Sequence, residues 1–250
     1  AMAPLAPPPP ALPAPCGPET SVAPPGRSWS GALGALYQTY EGRDKVVRLC
    51  QFLSYALMGL TAGSSCRSIK ALSKPARSLF VAFAAARRTF RWGKEFPVIY
   101  SVPKAFELER PVDTVLDLTR KVTLVLFFWI DHVAWLKQTL HSAKHGISTI
   151  QFAFRFLAVS SLLAAVCNAR KALQLRGGED SRSVQRLQEA QQNSLGVVRN
   201  GLLAMQAAHL SRMCTASETL VGVMGMTTSL MDLAVVWRAV RPDQPGAARP

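Results

Sequence analysis

The stretch SKPARSLFVAFAAARRTFRW, residues 73–92, decides how this chain is read. Leu72, Ala76, Leu79, Phe83, Ala86 and Phe90 recur at steps of four, three, four, three and four, which places them on one face of a helix. Lys70, Lys74, Arg77, Arg88 and Arg91 line the opposite flank, and no acidic residue occurs from Arg67 to Lys94. Ser73 is the expected cap with Pro75 tolerated in the first turn, and Gly93 followed by Pro97 supplies the stop. The spacing predicts a basic amphipathic helix over 73–92. Such a helix does not span a bilayer, because Arg77, Arg87, Arg88 and Arg91 together cost ~10 kcal/mol or more in the hydrocarbon. Lying in the interface, each cation contributes ~1 kcal/mol against anionic lipid and each inserted Leu or Phe ~1.5 kcal/mol or more. The membrane-binding set is therefore Lys74, Arg77, Arg87, Arg88 and Arg91 on acidic head groups, with Leu79, Phe83, Phe90 and Trp92 inserting. A wedge in one leaflet expands that leaflet and favours positive curvature. The alternative is a helix that packs the same stripe on the protein's own core and leaves its basic flank in water.

Helical spacing also governs the flanking sequence. Val46, Leu49, Leu53, Ala56 and Leu60 mark a second amphipathic helix, with Asp44 near its positive end and within reach of Arg48 one turn on. Gly42 is expected to separate it from a short preceding helix carrying Leu33, Leu36, Tyr37 and Tyr40. After a looser stretch with Pro97, Pro103 and Pro111 come three hydrophobic blocks, at about 122–136, 147–166 and 219–240, separated by a polar helix over about 181–216. Each block holds a charge, Asp131, Arg155 and Asp232 in turn, so none meets the charge-free criterion for a span of a ~30 Å core. The last two are marginal spans. A central charge costs about 2.5–3.5 kcal/mol and each large apolar side chain returns only ~0.3–0.6 kcal/mol. Crossing antiparallel, they put Arg155 and Asp232 at similar depth, which suggests an intramembrane ion pair; the alternative is that each charge is satisfied separately. No strand pattern or internal repeat is evident. The fold class expected is an all-α integral membrane protein with an interfacial helix and about two marginal transmembrane helices.

Composition agrees. Lys and Arg number 29 against 15 Asp and Glu, a formal charge of +14 in 250 residues, and the mean hydropathy is positive. That balance calls for a polyanionic partner and favours a membrane surface over nucleic acid. The five cysteines are odd in number, scattered and without a CxxC pair, which argues against a disulfide framework or structural zinc and for a reducing compartment. Residues 1–27 are Pro/Ala-rich, with no basic region to start a secretory signal, and read as a disordered arm. Residues 28–240 read as the helical membrane-remodelling domain and 241–250 as a disordered tail. No Gly-rich phosphate loop, nucleophile elbow or HExxH pattern is present, and His132, His141 and His145 lack acids or Cys at ligand spacing. Neither an enzyme nor a cofactor is expected.

Four stretches carry a family resemblance. The segment YEGRDKVVR, with Arg43, Asp44, Lys45 and Arg48, resembles the N-terminal RDK-x-x-R element of the peroxin-eleven family of peroxisomal membrane-elongation proteins. ARRTFRWGK, residues 86–94, is similar to that family's basic helix end, FFWIDHVAWL to a block of its plant-type members, and residues 222–230 to its small-residue C-terminal block. The Pro-rich arm, Trp92 where Leu is usual, and Arg155 depart from the family pattern. The resemblance implies a helical protein of the peroxisomal membrane that self-associates, contacts acidic lipids, remodels and elongates the membrane before fission, and recruits fission machinery. A pore for small metabolites, which would give Arg155 and Asp232 another role, is the alternative it carries. A nucleic-acid binder is the remaining alternative, motivated by charge and interleaved aromatics.

Overall fold

The structure is a computed structural model that describes residues 29–108, 110–141, 146–177 and 183–240. The Pro-rich arm, the tail, His145 and Gly178 lie outside the described residues. Among the described residues the fold is helical throughout: α1 (Trp29–Gln38), α2 (Tyr40–Ala62), α3 (Arg67–Ala71), α4 (Ser73–Thr89), α5 (Glu95–Tyr100), a 3-10 turn (Pro103–Ala105), α6 (Pro111–Leu140), α7 (Ile147–Gly177), α8 (Val184–Leu210) and α9 (Glu218–Val240).

Local sequence explains where these helices start and stop. Thr39, not Gly42, makes the first break: its hydroxyl oxygen accepts the Gly42 N–H at 3.0 Å and caps α2. Leu72 rather than Ser73 occupies the cap position of α4, and no side chain caps that end. Helix α4 stops at Thr89, short of the expected Trp92, and the chain turns at Gly93, whose φ of +84° lies where a side chain is strained. Pro111 opens α6 instead of interrupting it, because the first turn of a helix has no use for the N–H that proline lacks. The first hydrophobic block, 122–136, thus lies within a 30-residue helix.

Two packed groups result. Helix α2 lies between α4 and α9, while α6, α7 and α8 form the second group, and α8 also packs on α9. Tyr55, Met58, Ala76, Val221 and Met224 make the first core; Phe127, Phe128 and Ala153 make the second. Helices α2 and α9 run antiparallel, with Gly59 against Thr219, Gly222 against Ala56, and Lys45 and Arg48 against Asp232. Helix α4 runs antiparallel to α2 in turn: Ala76 packs with Met58, the Tyr55 and Phe80 rings lie 4.7 Å apart, and Arg87 meets Asp44. The approach of α9 depends on Gly222, where a Cβ would sit 2.5 Å from the Ala56 nitrogen. Gly222→Leu must push the two helices apart, so we expect a loss of about 1–3 kcal/mol. Thermal unfolding in detergent reads it, and an unchanged midpoint would mean that α2 and α9 do not pack this closely.

Two helices, α7 over Ile147–Arg176 and α9 over Glu218–Arg238, are long and apolar enough to cross a membrane. Only 28% and 39% of their most apolar stretches are buried inside the protein. A core helix of a water-soluble bundle would bury most of that surface, so these faces are left for lipid. Along α7, Phe152, Val159, Leu162 and Val166 are all exposed.

Candidate functional site

Three carboxylates, Asp44 on α2, Asp131 on α6 and Asp232 on α9, are 2%, 1% and 4% exposed, and each holds cations from other helices. Asp44 binds Arg87 Nε at 3.1 Å and Lys94 Nζ at 2.8 Å. Arg87 also donates to Gln51 Oε1 at 2.8 Å, so two turns of α2 grip one guanidinium. Asp131 accepts from Arg91 at 2.9 Å and faces Arg88, which itself donates to Gln138. Asp232 takes Lys45 and Arg48, each at 3.0 Å, and Arg199 of α8; the second arm of Arg48 donates to Thr228 at 3.0 Å. Aromatic rings close the cluster: Trp92 stacks on His132 with centroids 4.3 Å apart, and the Arg91 guanidinium lies over Phe127.

The network explains why these residues occur as they do. Successive helical positions diverge by about 100°, so Asp44 reaches α4 while Lys45, its neighbour, turns to α9. One short segment of α2 thereby ties down both of its partner helices. Burial alone would raise the Asp44 carboxyl, but Arg87 and then Lys94 more than offset it and hold it far below the usual carboxylate range. Burial, with the Arg91 and Arg48 charges adding to it, pushes the Arg87 guanidinium down to about 9 while Asp44 pulls it back, so the group is charged at neutral pH. Pairs this dry cost several kcal/mol of desolvation per ion and persist because both partners are satisfied; removing one partner costs about 3–5 kcal/mol.

Several sequence expectations are corrected here. Arg87, Arg88 and Arg91, expected on acidic head groups, face the Asp44 and Asp131 carboxylates in the docked state, because α4 docks on α2 and its end meets α6. Arg48 serves Asp232, not Asp44 one turn back along its own helix. The Arg155–Asp232 pair does not form. Helix α7 packs on α6 and α8, α9 packs on α2 and α8, and Arg155 is exposed on α7 without an ion-pair partner among the described residues. Asp232 instead holds Lys45, Arg48 and Arg199.

The membrane-binding set is therefore split by the docked α4. Lys74, Arg77, Leu79 and Trp92 are exposed, Phe83 and Phe90 are half-buried, and Ala76 and Arg87 are buried. The docked face runs through Ala76, Phe80 and Arg87, while Leu72, Leu79 and Ala82 form an outward apolar strip. Of the family-like quartet, Asp44, Lys45 and Arg48 enter the network and Arg43 stays exposed. Gln51, Lys94, Asp131, Arg199 and Thr228 complete it and were not foreseen as members. Asp131 carried a signal, since a lone acid in an apolar block must find cations. Arg199 and Thr228 carried none.

Comparison with known proteins gives one match. The sequence model of the family described as Peroxisomal biogenesis factor 11 (PEX11) matches residues 32–237. No curated protein and no solved structure matches the chain.

Proposed function

The chain belongs to the peroxisomal biogenesis factor 11 family, a family of peroxisome biogenesis and proliferation and not known for enzymes, and from that premise we propose that it elongates the peroxisomal membrane by releasing α4 from α2 into the surface of one leaflet.

The observation that supports release is the spacing of charge on α4. Helix α2 lies along α9, and α4 lies along α2, so when α9 crosses a bilayer the docked α4 stands beside it. Between Arg77 and Arg87 there are nine uncharged residues, about 14 Å of helix, against a hydrocarbon core of ~30 Å. The cations at the two ends of α4 cannot both reach water from that position. Arg87, Arg88 and Arg91 have carboxylates, but Lys74 and Arg77 have no such partner among the described residues and would each cost about 2.5–3.5 kcal/mol in the hydrocarbon. Lying flat in the head-group region removes that cost, gives every cation of α4 an anionic neighbour, and inserts the whole stripe from Leu72 to Phe90, half of which docking conceals. Because α4 is already helical when docked, little ordering entropy opposes insertion.

Self-association and recruitment of fission factors belong to the same proposal. The feature that favours self-association is Arg155, an exposed cation near the middle of the α7 apolar stretch, which a second copy would shield from lipid. Acidic lipids of the peroxisomal membrane are the proposed first partner.

Vesicle tubulation tests the reading. Leu79 is exposed in the docked state, so Leu79→Asp leaves the packed core alone and puts a charge in the inserting stripe. We expect that variant to keep its thermal stability and to lose tubulation of acidic vesicles. Full tubulation by Leu79→Asp would remove α4 from the mechanism.

A further inference from the structure

A cavity of about 570 Å³ opens between the start of α6, the 3-10 turn and the end of α7, away from α4 and the carboxylate network. Among the described residues that line it, cations outnumber carboxylates. Asp113 is already held by Arg170 at 2.6 Å, and Asp117 by Arg120 at 2.6 Å and Lys121 at 2.8 Å. The side chains of Lys104, Arg110 and Lys171, which also line the cavity, are exposed and make no hydrogen bond or ion pair among the described residues. Three cations from three separate elements thus converge on a space larger than a bare phosphate needs and within the usual range of small-molecule sites. A shallow, open apolar groove, lined by Pro111, Val112, Val115 and Leu116, runs along the adjoining face of the same turns of α6.

The depth of the cavity is set by the helices that form it. Helices α6 and α7 are antiparallel, with Phe127 against Phe154, the Arg120 carbonyl accepting from Ser160, and Asp113 against Arg170. Their apolar stretches, from Val122 on α6 and up to Cys167 on α7, lie side by side, and the cavity begins where both end. When α7 crosses the bilayer, the cations therefore stand at the head-group level of one leaflet, and the Val112–Leu116 groove opens beside them. We propose that this is a site for a single acidic phospholipid, whose phosphorylated head group sits among Lys104, Arg110 and Lys171 while an acyl chain lies in the groove of α6. A lipid held there marks the leaflet into which the protein is oriented. The proposal rests on α7 crossing the membrane and not on release of α4.

The full chain in phosphatidylcholine nanodiscs, titrated with a phosphorylated phosphatidylinositol, tests it. Removing all three cations in K104Q/R110Q/K171Q is expected to weaken binding about tenfold or more. An equal charge loss at exposed positions elsewhere, R67Q/K137Q/R212Q, is expected to leave it unchanged. Val115→Asp should weaken the lipid and spare the water-soluble inositol phosphate head group, which on its own should bind much more weakly than the lipid. Equal losses in the two triple variants would reduce the site to general surface charge and overturn the proposal. Equal affinity for the soluble head group and the lipid would overturn it in favour of a soluble phosphate ligand. Tubulation by the unmutated chain is measured in parallel: no preferential lipid binding with α4-dependent tubulation intact refutes this site alone, and lipid binding without α4-dependent tubulation refutes the α4 mechanism alone.

Discussion

Asp232→Ala is expected to be the most damaging single substitution in the chain. The carboxylate is 4% exposed and is the shared partner of Lys45, Arg48 and Arg199, so its removal leaves three cations of two other helices facing each other without a counter-charge. Breaking one buried pair costs about 3–5 kcal/mol, most of a typical domain's stability, and here the mutual repulsion of the cations adds to it. Hydration can rescue a surface cation but not Arg48, which is 6% exposed and also holds Thr228. The expected result is a protein that fails to accumulate folded, seen as loss of the monodisperse species in detergent. Exchanging the whole cluster for apolar residues, Asp232→Leu with Lys45→Leu, Arg48→Met and Arg199→Met, should recover the fold, because an ion cluster replaced by packed side chains is often neutral or better. Folding of Asp232→Ala at normal yield and stability would contradict the buried network.

Asp44→Asn has a more specific expected result. It leaves the α2–α9 packing in place and takes the carboxylate from Arg87 and Lys94, the cations that hold the basic end of α4. The uncompensated Arg87 can regain solvent by leaving α2, so the cost of about 3–5 kcal/mol falls on docking of α4 and not on the whole fold. Proteolysis at the basic end of α4 should accelerate while that of α9 does not. Tubulation of acidic vesicles should increase, where a merely damaging mutation would decrease it. Acid produces the same effect reversibly. An unfolded aspartate titrates near ~3.9, and Asp44 titrates lower when folded, so its contribution is complete above that value and is lost as the pH falls from it towards the folded value. As the pH falls below about 4, the docking of α4 should therefore weaken progressively, and Asp44→Asn should lack that part of the transition.

The helices were legible because their causes are local. The three-four spacing of Leu72 to Phe90, the break near residue 40 and the apolar length of α7 and α9 are all properties of adjacent residues. What those helices touch was not legible. Asp44 and Arg87 are 43 positions apart, and Arg48 and Asp232 are 184 apart, and no periodicity within either segment names the other. A basic flank of a helix looks the same whether it faces lipid or carboxylates on another helix. The misread pairs, Asp44 with Arg48 and Arg155 with Asp232, were opposite charges one helical turn apart or at similar depth. The fold instead places α8 beside both α7 and α9 and turns Arg48 away from Asp44. The four family-like stretches took on a physical meaning only in three dimensions, where Asp44 pairs with Arg87 and Lys94, Arg91 pairs with Asp131, and the α9 stretch 222–230 packs on α2.

Release of α4 is the claim on which the mechanism depends, and a reversible lock tests it directly. Met58 and Ala76 pack in one core cluster, so Met58→Cys with Ala76→Cys, in a chain whose other cysteines are serine, ties α4 to α2 through a short reducible thiol crosslinker. Release predicts that the locked protein binds acidic vesicles through its spans but does not tubulate them, and that reduction restores tubulation. Equal tubulation before and after reduction would show that the membrane is shaped with α4 still docked.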